Sequence, residues 1–164
     1  MLKRFSIRGL FFGMMPGMVI QFICRGNAFR SIIAEAYMNS LKLPNVTVLS
    51  GGTCASLHRE SNAENFSKTL ALLQKHNINH YAKDHYADDL NQGLLDKSDV
   101  VVCLNNIVYE EAISSFKLPD KTYVWDVTDL GEEGRIATTE AERESFFEDV
   151  YDEITKNIDE LVSR

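Results

Sequence analysis

One short stretch of the chain, "FICRGNAFRS" (residues 22–31), combines side chains that could attack and hold an anion. A thiol, Cys24, ends an apolar run, and Arg30 and Ser31 stand where the pattern predicts the start of a helix. Backbone N–H groups in a loop that leads from a strand into a helix converge on an anion together with the helix N-terminus. The same positive field favours the nucleophilic thiolate form of a cysteine. These residues therefore predict a cysteine nucleophile beside an anion-binding loop.

The other residues of the loop suit this chemistry. Gly26 and Asn27 tolerate the left-handed or strained backbone angles that such a loop requires. The planar guanidinium of Arg30 matches two phosphate oxygens, and the hydroxyl of Ser31 can donate a hydrogen bond to the thiolate. The predicted anion-binding residues are Arg25, Gly26, Asn27, Ala28, Phe29, Arg30 and Ser31.

The elements that would position this loop alternate between strand and helix. Four apolar, β-branched runs predict strands, and stretches with apolar residues at helical spacing predict helices. Such alternation predicts an α/β fold of three layers, a four-stranded parallel sheet with helices on both faces. Ligands of such folds bind at the carboxyl ends of the strands, where the loop after Cys24 lies. The predicted strands are 19–24, 45–50, 99–104 and 122–127, and the predicted helices are 31–41, 63–75 and 139–162.

Two local signals mark the ends of elements. Gly51 and Gly52 follow the second strand and predict its end. Thr139 and Glu142 have the spacing of a capping box at the start of the last helix. The apolar residues of that helix recur at helical intervals: Phe146, Phe147, Val150, Ile154, Ile158 and Leu161.

Length, composition and charge restrict the class of protein. The 164 residues, 45% of them hydrophobic and 25% charged, fit one globular domain. A formal net charge of −7 argues against nucleic acid as a partner. An odd number of cysteines without a C-x-x-C pair predicts free thiols in a reducing compartment, which we interpret as the cytoplasm.

The first residues of the chain have the basic and apolar character of a targeting segment. No small-residue cleavage site follows them, however, and their apolar run is too short to span a bilayer. We therefore expect residues 1–16 to form a poorly ordered extension, with Met18 as a candidate start. The single domain then covers residues 17–164, and we predict no membrane partner. No pattern in the sequence indicates an oligomeric state.

The loop and its surroundings resemble one known family, the low-molecular-weight protein tyrosine phosphatases. The signature of that family is a strand, then C-x-G-N-x-x-R-S, then a helix that begins "IAEA", and this chain has each of these features in residues 19–36. The segments "LSGGT" (49–53), "KHNINHYAK" (75–83) and "FFEDVYDEITKNIDELV" (146–162) also resemble the family, so the resemblance runs from about residue 18 to the end. It implies hydrolysis of phosphate monoesters through a cysteinyl-phosphate intermediate, without a metal or cofactor.

The resemblance also implies an acid that protonates the leaving group, from an Asp-Pro pair in a loop after the fourth strand. Alignment on the strand favours Asp129, and Asp126 is the alternative. Leu130 stands in the place of the proline, which would otherwise restrict the backbone around the acid. The implied catalytic residues are thus Cys24, Arg30 and Asp129. The other interpretation is that these aspartates are solvated acids of a loop.

Other departures from the family concern specificity. Members that act on phosphotyrosine present aromatic walls, whereas Ser56 and Leu57 stand where one wall would be. Phe29 stands where some members carry a second cysteine, which excludes a disulfide within the loop. The sequence therefore supports phosphate monoester hydrolysis better than specificity for phosphotyrosine. The expected partner is a phosphorylated protein or a small phosphate ester.

Two alternative functions stay open. An arsenate reductase of the same fold would need two further cysteines in a segment after the third strand. Cys103 lies near that region but within the strand, and Cys54 is better interpreted as a small residue near the "SGGT" turn. The second alternative is a phosphate-binding or protein-interaction module with little turnover, although a binder has no need of a thiolate.

A group of histidines could also suggest a metal site. His76, His80 and His85 lie close in sequence, with Asp84 beside them. The family resemblance implies instead that such histidines brace the anion loop and neighbouring turns. We therefore predict hydrogen-bonded structural histidines and no metal.

Overall fold

The computed structural model describes residues 17–132 and 134–163, so the predicted extension over residues 1–16 lies outside the described residues. The strands are β1 (Met18–Cys24), β2 (Val46–Gly52), β3 (Val100–Cys103) and β4 (Thr122–Val124). The helices are α1 (Arg30–Ser40), α2 (Ala63–Lys75), α3 (Gln92–Leu95), α4 (Asn106–Ser115) and α5 (Glu140–Ser163), with a 3₁₀ turn at Asn79–Tyr81.

The four strands form one parallel sheet in the order β2-β1-β3-β4, which confirms the predicted fold class. Strand β1 lies in the interior of the sheet, and its residues from Ile20 to Cys24 are buried, as expected for a strand with helices on both faces. Because all strands run in the same direction, their carboxyl ends share one edge. Cys24 therefore lies beside Gly52, its partner in β2.

The prediction that Gly51 and Gly52 end the second strand is wrong. Both glycines belong to β2 and pair in register with Ile23 and Cys24. A Cβ atom on Gly52 would lie 2.4 Å from the carbonyl oxygen of Arg25. Glycine is thus needed for the close approach of this strand to the loop after Cys24.

Apolar side chains fill both faces of the sheet. One face packs Ile20 and Phe22 against α1, α2 and α5, and the other packs Ile23 and Val101 against α3 and α4. Helix α4 is missing from the prediction, although Asn105 gives it a standard N-cap by accepting a hydrogen bond from the N–H of Val108 at 3.0 Å. Its presence completes the second helical layer.

Helix α5 begins with the predicted capping box. The N–H of Glu142 donates to Oγ1 of Thr139, and the N–H of Thr139 donates to the Glu142 carboxylate, both at 3.1 Å. The predicted apolar face of this helix is buried along its length. Within the described residues, no helix combines the length and the apolar character that crossing a bilayer requires.

Candidate active site

The thiol of Cys24 lies at the end of β1, in a loop that closes where Arg30 begins α1. Its Sγ accepts a hydrogen bond from the N–H of Asn27 at 3.2 Å and lies 2.9 Å from Oγ of Ser31. Ser31 Oγ also accepts from Nδ2 of Asn27, and when Cys24 is a thiolate the hydrogen between the two side chains belongs to Ser31, because a thiolate has none to donate. Two donors thus converge on the sulfur, an arrangement that stabilises a thiolate.

Asn27 holds the loop in shape. Its backbone is left-handed (φ 49°), and its side chain is fully buried. Nδ2 donates to the hydroxyls of Ser31 and Ser50, at 2.9 and 3.0 Å. Oδ1 accepts from Lys83 Nζ and from the N–H of Asp88, both at 3.0 Å. All four hydrogen-bonding positions of the amide are therefore satisfied.

A group of three charged side chains, Lys83, Glu35 and Asp88, lies behind Asn27. Lys83 Nζ donates to the Asp88 carboxylate at 2.8 Å and lies 4.0 Å from the carboxylate of Glu35, which accepts from the Ser50 hydroxyl. Burial raises the pKa of Glu35, although the bond from Ser50 and the charge of Lys83 act in the opposite direction. Burial also opposes ionisation of Asp88, but Lys83 and His85 outweigh it and lower the pKa of this carboxyl.

The segment of residues 75–83 supports the loop, but through Lys83 and not through its histidines. His76 bonds to Glu148 at 2.9 Å and stacks on Tyr151, while the ring of His80 lies against Tyr81. For His76 and His80 the expectation that histidines brace the anion loop is therefore wrong, since Lys83 has that role in this segment. Nε2 of His85, however, lies 3.1 Å from the carboxylate of Asp88, whose N–H donates to Oδ1 of Asn27, so this histidine does support the loop indirectly. In the described parts of the chain, no three His, Cys, Asp or Glu side chains are grouped so that they could hold a metal ion.

Arg30 connects the loop to the acid. Its side chain is 1% exposed, one Nη donates to the carbonyl of Val127 at 2.8 Å, and the other donates to Oδ2 of Asp129 at 3.0 Å. The Asp129 side chain keeps 32% of its surface exposed. Asp126 is exposed as well. Burial raises the pKa of Glu153, and the negative charge of Asp126 raises it further. Of the two candidate acids, Asp129 is the one placed beside Arg30.

A turn fixes the loop of Asp129 without a proline. The N–H of Glu132 donates to the carbonyl of Asp129 at 3.2 Å, and Gly131 has the positive φ (84°) that the third residue of a type II turn needs. The N–H of Leu130, which proline would lack, donates to Oδ1 of Asp129 at 2.9 Å. Replacement of the proline by leucine thus adds a hydrogen bond to the carboxylate.

One cavity of about 180 Å³ brings these residues together. Asn27 and Ser31 lie behind its surface, fully buried. The predicted wall residues Ser56 and Leu57 do not line it, and Leu57 is 78% exposed. The loop and the acid contribute Cys24, Arg25, Gly26, Ala28, Phe29, Arg30 and Asp129, and the segment around the start of α2 contributes His58, Ser61, Asn62 and Asn65. No motif in the sequence distinguishes these four polar wall residues.

Two side chains of the loop are anchored to helices. Nε of Arg25 lies 2.9 Å from a carboxylate oxygen of Glu111, which projects from α4. The ring of Phe29 stacks on Phe147 of α5 with 4.1 Å between centroids. Phe29, at the position where some members of the similar family carry a second cysteine, is therefore part of the core.

The two other thiols differ in environment. Cys103 is fully buried in β3, and burial raises its pKa to about 12. It is therefore protonated and poorly suited to receive oxidation from Cys24. Cys54 is partly exposed and lies near Glu111. All three cysteines of the chain are free thiols.

The sequence matches the model of a known protein family. The model of the low molecular weight phosphotyrosine protein phosphatases matches residues 19–164. The chain belongs to this family. Membership confirms the predicted family and the predicted class of enzyme, a phosphatase that hydrolyses phosphate monoesters. No curated protein sequence matches the chain.

Solved structures of phosphatases share the fold. A low molecular weight protein tyrosine phosphatase from Bacillus subtilis is 25% identical, with a TM-score of 0.60 over 88% of this chain and 94% of that chain. A YwlE mutant, also from Bacillus subtilis, is 22% identical, with a TM-score of 0.64 over 88% and 96%. The tyrosine phosphatase AmsI from Erwinia amylovora is 17% identical, with a TM-score of 0.65 over 93% and 98%.

Proposed function

We propose that this phosphatase uses Cys24 as its nucleophile, Arg30 as its phosphoryl-binding cation and Asp129 as its general acid and base. One observation carries the proposal: Arg30 and Asp129, 99 residues apart in sequence, are hydrogen-bonded to each other on the cavity that Cys24 enters. Nucleophile, cation and acid on one cavity are the groups that phosphoryl transfer through a covalent intermediate requires.

In the first step the thiolate of Cys24 attacks phosphorus, and the bond between phosphorus and the ester oxygen breaks. The N–H groups of the loop, apart from that of Asn27, which donates to Sγ, and the guanidinium of Arg30 hold the phosphoryl oxygens, whose charge they stabilise. Asp129 gives its proton to the departing oxygen, which leaves as an alcohol or phenol.

In the second step water attacks the cysteinyl phosphate. Asp129, now a carboxylate, takes a proton from the water, while the bond between sulfur and phosphorus breaks. The hydroxyl of Ser31 and the N–H of Asn27, which both contact Sγ, stabilise the departing thiolate. Inorganic phosphate is released, and no metal or cofactor takes part.

The proposed substrate is a phosphorylated protein, with phosphotyrosine as the expected residue, or a small phosphate ester. The family description supports a phosphotyrosine protein. The polar wall of His58, Ser61, Asn62 and Asn65 supports phosphate esters more broadly, because it offers hydrogen bonds and no Phe, Tyr or Trp side chain. The free thiols support action in a reducing compartment, which we propose is the cytoplasm.

Hydrolysis of para-nitrophenyl phosphate by the wild type and by Cys24→Ser, with chelator and reductant present, tests the proposal. Turnover that resists chelation and falls to background in Cys24→Ser is the expected result. The variant must bind inorganic phosphate as the wild type does, which shows that its loop is intact. Arsenate reduction is measured in parallel. Turnover that survives in Cys24→Ser, or reduction of arsenate without hydrolysis, would refute this assignment.

A further inference from the structure

Glu132 is the last residue of the turn over residues 129–132, here called the acid loop, and its carboxylate contacts the first residue of that turn. Its Oε2 accepts a hydrogen bond from the N–H of Asp129 at 3.1 Å and a second from Nδ2 of Asn105 at 2.7 Å. The same oxygen lies 3.9 Å from an Nη of Arg30. One carboxylate oxygen thus lies beside the backbone of the acid, the N-cap residue of α4 and the phosphoryl-binding cation.

These contacts compensate the free-energy cost of burying the Glu132 carboxylate. The Glu132 side chain is only 13% exposed, and burial of a carboxylate is unfavourable unless hydrogen bonds and an opposite charge compensate it. The compensating groups are themselves held by hydrogen bonds. Asn105 is buried and caps α4, and Arg30 donates to the carbonyl of Val127. Glu132 therefore connects the backbone of Asp129 to two residues, Asn105 and Arg30, that lie far from it in sequence.

The contact is with the backbone of Asp129 and not with its carboxyl. Glu132 does not belong to the lining of the cavity, which includes Asp129. Glu132 therefore makes no contact with the carboxyl of Asp129, and it restricts the main chain that carries the acid. A restriction of this kind is what proline would supply at position 130, where this chain has Leu130.

We propose that Glu132 is a positioning residue for the general acid Asp129. The inference rests on the proposed function, because it assumes that Asp129 protonates the leaving group. Glu132 does not touch the reacting atoms. Loss of the Glu132 carboxylate should therefore lower kcat/KM most for substrates whose leaving group must be protonated in order to depart.

Two substrates with different leaving groups distinguish a positioning role of Glu132 from a general loss of activity. Phenyl phosphate has a poor leaving group that requires protonation, whereas dinitrophenyl phosphate has a good one that departs as the anion. The value of kcat/KM reports the steps up to loss of the leaving group. We expect Glu132→Ala to lower kcat/KM for phenyl phosphate by about 10²-fold, the cost of a misplacement of about 1 Å. For dinitrophenyl phosphate the change should be less than about threefold.

Variants of matched character complete the test. Glu132→Gln retains a carbonyl oxygen that can accept from Asp129 and Asn105, so it should recover most of the activity on phenyl phosphate. It also keeps the test usable if Glu132→Ala does not fold. Glu110→Ala, which removes an exposed carboxylate of α4, should change neither substrate. Asp129→Asn should show the same dependence on the leaving group as Glu132→Ala.

The double variant Glu132→Ala/Asp129→Asn decides whether Glu132 acts through Asp129. If it does, the double variant should lose no more activity on phenyl phosphate than Asp129→Asn alone. Additive losses, equal losses on both substrates, or no loss in Glu132→Ala would overturn the inference. If wild type hydrolyses dinitrophenyl phosphate without dependence on Cys24, the proposed function fails first, and the two failures are therefore distinct.

Discussion

Lys83 donates a hydrogen bond to Oδ1 of Asn27 at 3.0 Å, although 56 positions separate the two residues in sequence. Asn27 in turn bonds to Ser31, which contacts the sulfur of Cys24. The cation that lies behind the loop is therefore connected to the nucleophile through an amide and a hydroxyl. The conformation of the loop depends on this chain of contacts.

Replacement of Lys83 by methionine should weaken both the fold and the reaction. The change removes one of the two donors to the buried Asn27 oxygen and the cation between Glu35 and Asp88. We expect the free energy of unfolding to fall by about 1–3 kcal/mol, together with a lower kcat/KM for para-nitrophenyl phosphate. Denaturant unfolding and steady-state kinetics measure the two effects. The same change at the exposed Lys97 should leave both values unaltered, and equal effects at both sites would contradict this role.

The carboxyls of Glu35 and Asp88 should contribute to the pH dependence of stability with opposite signs. The pKa of Glu35 is raised above its ordinary value of 4.5, so the folded state binds the proton more tightly, and stability is lost as pH rises from 4.5 through the folded pKa. Wild type should therefore lose stability relative to Glu35→Gln over that interval. The pKa of Asp88 is lowered from 3.8, so its stabilisation is present above 3.8 and is lost as pH falls through the folded pKa.

Unfolding of wild type, Glu35→Gln and Asp88→Asn at a series of pH values measures both effects. The difference between wild type and Asp88→Asn should shrink in acid, whereas the difference between Glu35→Gln and wild type should grow towards neutral pH. If the two stability differences, each taken as wild type minus variant, changed with pH in the same direction, the assigned causes would be wrong.

Gly52→Ala should displace the loop that carries the nucleophile. The new Cβ would lie 2.4 Å from the carbonyl oxygen of Arg25, a backbone atom that can move only with the loop. We expect a loss of stability of about 1–3 kcal/mol from overpacking and a loss of kcat/KM of about 10²-fold from misplacement. Gly17→Ala is the control, since its Cβ would lie no closer than 3.4 Å to a neighbour. An active Gly52→Ala enzyme would show that the close approach is not required.

Arg30→Lys should retain the positive charge but lose the planar fork. The side chain could no longer bond to the carbonyl of Val127 and to Asp129 while it holds two phosphoryl oxygens. Loss of one or two charge-assisted hydrogen bonds predicts a kcat/KM lower by about 10-fold to 10³-fold. Arg143→Lys, on the exposed side of α5, should have no effect. Unchanged kinetics in Arg30→Lys would mean that charge alone suffices at this position.

The sequence predicted the parts of this protein that depend on neighbouring residues. Strand β1, the loop and the start of α1 are contiguous, so their residue types and spacing indicate the anion-binding geometry directly. The apolar face and the capping box of α5 are likewise local patterns, and both are present in the structure. Helix α4 had a local signal as well, the cap at Asn105, but its short apolar face gave a weaker periodicity.

The remaining features depend on contacts between distant segments. Nothing near Lys83 in the sequence indicates that it, and not His76 or His80, would reach Asn27. Glu132 stands among solvated acids in the sequence, and its role emerges only when β3 places Asn105 beside it. The polar wall of the cavity likewise depends on how the segment before α2 folds over the loop.

The most direct test of the account is to trap the proposed intermediate on Cys24. Asp129→Asn, mixed rapidly with dinitrophenyl phosphate, should form the cysteinyl phosphate without needing the acid and then hydrolyse it slowly, because the base is missing. We expect a burst of one dinitrophenolate per enzyme and, after quenching, a phosphoryl group on the peptide that contains Cys24. Turnover without a burst, or a phosphoryl group on another residue, would contradict the account.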